Sequence, residues 1–163
     1  MEKLSEHFTL EELCKTSVQT AEGNIPLPLH AENLRRLCGW LEQLRRRYNL
    51  RYVLNEGEDY ATSPHAEPLI INSGYRSAAV NKAVGGAANS NHLTGCAVDI
   101  RAAGLEQALR YAVLLLDISD ERKEDFDELL LEHNLRGSYW IHFAVRPPEV
   151  GNRNRLSVYS PID

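Results

Sequence analysis

The stretch SNHLTGCAVDI, residues 90–100, carries His92 and Asp99 seven positions apart around Gly95 and a run of small apolar residues. A second stretch, YWIHFAV, residues 139–145, sets His142 among alternating apolar neighbours. These are metal-ligand residue types, and a histidine at a sheet-buried position needs a partner for both ring nitrogens. Catalytic zinc takes three protein ligands from His, Asp and Glu at about 2.0–2.2 Å and leaves a fourth position for water. His92, Asp99 and His142 satisfy that set; the alternative is a core histidine beside a surface aspartate. Three other histidines read differently: His7 before the first helix, His30 near a helix start and His65 in a polar loop are capping or surface positions.

Composition narrows the partners. The 163 residues fit one domain, 1–163, and a chain of this length buries about two thirds of its unfolded surface. Hydrophobic residues make up 43% and charged residues 25%, and no apolar run approaches the roughly 20 residues that span a bilayer. Cys14, Cys38 and Cys96 form no CxxC pair and read as small buried hydrophobes. The opening MEKLSEHFTL lacks the basic start and apolar stretch of a secretory signal, which leaves the route of export open. A net charge of −5 argues against general nucleic-acid binding. The arginines of LRRLCGWLEQLRRRYNLR accordingly read as the solvated face of a helix whose apolar stripe is Leu34, Leu37, Leu41, Leu44 and Tyr48.

The elements that must position the three ligands follow from capping and periodicity. A short helix is expected after Thr9 in TLEEL, and a long arginine-bearing one after PLPLHAEN. Residues 55–68, NEGEDYATSPHAEP, read as an exposed loop ahead of the apolar strand LIINSG. A short helix over SAAVNKAV ends at Gly85 and Gly86, the strand CAVDIRA carries Asp99, and LEQALRYAVLLL, 105–116, has helical spacing. FDELLLEHN and YWIHFAVRP read as a closing hairpin joined by LRGS, where Gly137 supplies a positive φ. The pattern predicts an α+β single domain, helices packed on a small antiparallel sheet.

The blocks INSGYRSAAVNKAVGG, SNHLTGCAVDI and FDELLLEHNLRGSYWIH together resemble the zinc D-alanyl-D-alanine carboxypeptidase-like family of cell-wall peptidases, with its SGYRS, SxHxxGxAxD and WxH signature in order. The opening LSEHFTLEELCKTS and the long helix resemble the small phage-type, endolysin-like members, so the likeness covers nearly the whole chain; the 55–68 loop is its main departure. The resemblance implies a hedgehog/DD-peptidase-like fold. It also implies zinc held by His92, Asp99 and His142, Arg76 stabilising a developing oxyanion, and Ser90, Tyr75 and Trp140 at the substrate. For Arg76 a surface salt bridge is the alternative. The implied substrate is a peptidoglycan stem peptide, cut as a D-Ala-D-Ala carboxypeptidase or an L-Ala-D-Glu type endopeptidase, and the implied place of action is the cell wall.

A peptidase of this kind needs a carboxylate to take the proton from water. Many family members place it three residues before the last histidine, where this chain has Tyr139; others of the phage-type branch have a glutamate at the end of the preceding strand, which here is Glu132. A hairpin closed by Arg136, Gly137 and Ser138 sets Leu135 against Tyr139 and Glu132 opposite His142. Closing one pair earlier sets Glu132 opposite Trp140, still on the face of His142. Glu128 shares that face at a greater expected distance from the metal and ranks second, while Asp127 points the other way. Because Tyr139 is no base, a non-catalytic zinc-binding domain of the same fold, recognising wall peptides or a protein partner, is the rival reading.

Overall fold

A computed structural model describes residues 2–159. The elements are α1 (Leu10–Leu13), α2 (Pro28–Tyr48) with one π-helical turn (Asn49–Val53), β1 (Ile71–Ser73), α3 (Ala78–Ala83), a 3₁₀ turn (Asn91–Thr94), β2 (Ala97–Ala102), α4 (Leu105–Arg122), β3 (Glu128–His133), β4 (Tyr139–Ala144) and β5 (Arg155–Tyr159). The strands form a five-stranded sheet in the order β1-β2-β4-β3-β5, antiparallel except where β3 and β5 run parallel. Among the described residues no helix is long and apolar enough to cross a membrane.

Side-chain alternation gives this sheet two unlike faces. Val98 and Ile100 of β2, Ile141 and Phe143 of β4, and Leu129 and Leu131 of β3 are buried in one core with Leu34, Leu37, Leu41 and Leu44 of α2 and Leu114, Leu115 and Ile118 of α4. The intervening residues, including Asp99, His142, Glu128 and Glu132, occupy the other face. The apolar stripe read along α2 is therefore the core contact. Its arginines take surface partners instead, Arg35 with Glu2 and Glu32 and Arg47 with Glu121. Cys38 and Cys96 are buried and Cys14 is partly covered; all three are free thiols.

Local structure departs from the sequence expectations where a cap or a distant strand decides. Helix α2 begins at Pro28, inside PLPLHAEN, because proline suits the first helical turn, where its missing N–H costs nothing. Helix α4 runs on to Arg122, six residues past the expected end, and closes on Lys123 in the left-handed conformation. The hairpin takes the earlier of the two registers, with Glu132 opposite Trp140 and His133 opposite Tyr139, so the pairing of Leu135 with Tyr139 and of Glu132 with His142 does not occur. The cause is Asn134, whose side-chain oxygen accepts from Arg136 N and Ser138 N at 3.0 Å each and holds the connection open at five residues. Strand β5 was not anticipated at all. Residues 55–68 are irregular and turn-rich, pinned at their end where buried Asn49 donates to Glu67 O at 2.9 Å and accepts from Glu67 N at 2.6 Å.

Candidate metal centre

Three ligand atoms of His92, Asp99 and His142 lie within 4.8 Å of one another. Asp99 and His142 are paired across the β2–β4 ladder, so strand register alone brings them together. His92 enters from the 3₁₀ turn before β2, where Ser90 caps the turn and its Oγ accepts from His92 N at 3.2 Å. Gly95 closes that turn at φ +70, and a Cβ there would sit 2.5 Å from the His30 carbonyl oxygen. Only glycine lets the chain turn from His92 into β2 against α2.

The donor atoms are aimed. His92 Nδ1–H donates to the Gly74 carbonyl at 2.7 Å, which leaves Nε2 as the ring's lone-pair atom, 3.4 Å from Asp99 Oδ1. His142 Nδ1 lies 3.0 Å from the same oxygen. A tetrahedral site with metal–ligand distances near 2.0–2.1 Å has donor–donor edges of about 3.3 Å. The two spacings to Asp99 bracket that value, and the three donors all lie within 4.8 Å of one another, so the set is able to hold a zinc ion. Gly74 is itself fixed from the first helix, since Tyr75 N donates to Leu13 O at 2.8 Å and a Cβ on Gly74 would meet that oxygen at 2.2 Å.

Arg76 reaches the centre as well, but not as a surface ion pair. Its Nη2 donates to Asp99 Oδ2 at 3.1 Å, its Nε to Ser73 Oγ at 2.9 Å, and both charged side chains are largely buried. Asp99 thus turns one oxygen to the imidazoles and the other to the guanidinium. Burial alone would raise the Asp99 pKa, yet His92 and His142 outweigh it and hold the carboxyl well below the usual range. Burial likewise works against charge on His142, while Asp99 and Glu128 prevail and push its pKa up to about 10.

Two glutamates flank this centre on β3. Leu130 is paired with His142, so Glu128 and Glu132 stand two residues to either side of it on the same face. Burial, then the nearby charge of Asp99, raises the Glu132 pKa; its Oε2 accepts from Trp140 Nε1 at 2.6 Å. Glu128 is held low, chiefly by its contact with His142, whose Nε2 is 3.5 Å from Oε1. Neighbouring carboxylates whose pKa values are pushed apart mark different roles. Glu128 is thus much nearer the ligands than its expected second rank implied.

A cavity of about 620 Å³ opens over the cluster, lined by Arg76, Ser90, His92, Asp99, Glu128, Glu132 and His142, with Arg153, Arg155 and Ser157 along one side. Two expected substrate contacts lie elsewhere. Tyr75 is buried against His30, ring centroids 5.1 Å apart, and Trp140 is absent from the cavity wall and meets it through Glu132. No residue of 55–68 lines the cavity. Sequence reasoning missed Asn91, Arg153 and Arg155. Asn91 Nδ2 donates to Asp127 Oδ2 at 2.7 Å and to Glu128 Oε1 at 2.6 Å, and Arg153 donates to both oxygens of buried Asp127. Of these, only the position of Asn91 beside His92 was visible in the sequence.

Residues 58–115 match the family model described as Peptidase M15. That segment holds the SGYRS and SxHxxGxAxD blocks with His92 and Asp99, while His142 and both flanking glutamates lie beyond it and join the site through the sheet. No curated protein matches the chain.

Proposed function

We propose that the chain is a peptidase of the M15 family, whose model matches residues 58–115, and that it hydrolyses a peptide bond in peptidoglycan stem peptides, as a D-Ala-D-Ala carboxypeptidase or an L-Ala-D-Glu type endopeptidase. Members of the family are zinc metallopeptidases, and the buried cluster of His92, Asp99 and His142 is able to hold the metal. Zinc held there would polarise the scissile carbonyl and acidify water.

The observation that carries the reading is the pair of glutamates with opposite shifts beside three converging donors. Glu132 is the general base in this reading: a half-buried carboxylate with a raised pKa takes a proton from the attacking water and returns it to the leaving amine more readily than an ordinary one. Trp140 fixes one of its oxygens and leaves the other free to act. Arg76, anchored through Ser73 and Asp99, adds positive charge where the oxyanion develops, an effect of the size expected from an oriented donor in a shielded site. Ser90 lines the same cavity and contributes to substrate positioning.

Stem peptides fit the motif blocks that carry the likeness to cell-wall peptidases. Digestion of purified wall peptides by the zinc-loaded protein, with products identified by mass, tests it. A new amine and carboxyl at one stem-peptide bond, lost on chelation, supports the reading; intact peptides at saturating zinc would reject it.

A further inference from the structure

We propose that Glu128 is the positioning carboxylate of His142, clamped by Asn91 and Arg155 so that the imidazole keeps its proton on Nε2 and presents Nδ1 to the metal. The inference rests on the zinc reading of the cluster and assigns a residue that hydrolysis by Glu132 leaves without a role.

A neutral imidazole has one N–H. For Nδ1 to give its lone pair to a metal, the proton must sit on Nε2, and an ionised carboxylate facing Nε2 selects that tautomer and fixes the ring plane. His142 has this arrangement: Nδ1 is 3.0 Å from Asp99 Oδ1, on the side of His92, and Nε2 is 3.5 Å from Glu128 Oε1. His92 achieves the same with a backbone partner, the Gly74 carbonyl at Nδ1, so the two rings are held through opposite nitrogens. Their planes meet edge to face, with centroids 5.1 Å apart.

Glu128 is itself fixed. Its Oε1 accepts from Asn91 at 2.6 Å, and its Oε2 lies 3.3 Å from Arg155 Nη1. Asn91 precedes His92 in the 3₁₀ turn and spends its second amide hydrogen on Asp127, which Arg153 grips with Nε at 2.9 Å and Nη2 at 2.7 Å. One asparagine therefore ties the turn bearing the first histidine to the carboxylate that orients the second. Strand β5 acquires a function here, since it delivers Arg155 beside Glu128 in register. Glu132 does not share the task, because its Oε2 is occupied by Trp140 on the far side of Leu130.

The test needs no variant at its first step. In the ¹⁵N-histidine-labelled, zinc-loaded protein, the His142 ring shifts should show Nδ1 metallated and Nε2 protonated; the reverse pattern would overturn the proposal. Zinc affinity, read by competition with a chromogenic chelator, should fall about 10–100-fold in Glu128→Leu, be largely restored in Glu128→Gln, whose amide oxygen still accepts from Nε2–H, and stay near wild type in Glu132→Gln. Wild-type zinc affinity in Glu128→Leu, or an affinity in Glu128→Gln as low as in Glu128→Leu, would overturn the assignment. A wild-type protein that binds no zinc would instead remove the reading beneath it.

Discussion

Asp99 stands directly opposite His142 across the β2–β4 ladder, with Oδ1 3.0 Å from Nδ1 and Oδ2 turned away to Arg76. Strand pairing supplies two of the three donors, and Arg76 selects which carboxylate oxygen faces them. Arg76→Ala should therefore slow peptide hydrolysis by about 100-fold or more, with a smaller change in KM, if it acts as an oriented donor in the transition state. Arg76→Lys should not restore the rate, because one ammonium cannot keep both the Ser73 and Asp99 contacts of the planar guanidinium. Steady-state kinetics at saturating zinc checks both.

Zinc bound at this cluster would displace a proton from His142. Its pKa is raised to about 10 against burial by Asp99 and Glu128, so the metal-free protein carries imidazolium there at neutral pH. Apparent zinc affinity should rise about tenfold per pH unit between roughly pH 7 and 9, with about one proton released per ion from this residue. Sign follows the same way for the metal-free fold. The charged ring adds stability that is fully present below the ordinary imidazole range and fades as pH climbs through about 10. Chelator competition across pH reads the first effect; a flat profile would contradict it.

Gly95→Ala should destabilise the fold by about 1–3 kcal/mol from the left-handed backbone alone, before the contact with the His30 carbonyl is counted. Because the same turn carries His92, zinc affinity should fall with it. Urea unfolding of the metal-free protein, followed by zinc titration, separates the two losses.

Asp127 is fully buried and accepts from Arg153 and Asn91. Burial raises its pKa, but Arg153 and Asn91 outweigh that and keep it low, so its contribution holds at neutral pH and is lost as pH falls below the ordinary carboxylate range. Asp127→Ala should cost about 1–3 kcal/mol, the penalty for unpaired buried donors. The half-exposed Arg153 recovers water and keeps the loss below that of a fully buried pair. The urea midpoint measures it.

The convergence of His92, Asp99 and His142 was legible because each residue sits in a short block whose local structure is nearly self-contained: a glycine-closed turn for His92, and alternating strands for Asp99 and His142. The two faces of the sheet followed from the same alternation. Asn91, Arg153 and Arg155 were not legible, since their partners are Asp127 and Glu128: the parallel pairing of β3 with β5 brings the two arginines near, and the 3₁₀ turn ahead of β2 brings Asn91. Strand β5 also hides its own signal: Leu156 and Val158 point to the apolar side yet remain exposed at the sheet edge, 59% and 69%, so its alternation marks no buried face. SGYR looks like one unit in the sequence, yet its aromatic and basic side chains part company. Backbone direction splits it, sending Arg76 to the metal centre and Tyr75 into the core beside His30.

The most direct test of the account is hydrolysis by Glu132→Gln at measured, equal zinc occupancy. The amide preserves size and can still accept from Trp140, but it takes no proton from water. The account predicts full zinc, one ion per chain, with stem-peptide turnover reduced by at least about 100-fold, the lower range of a general base. Wild-type turnover in the zinc-loaded variant would contradict it.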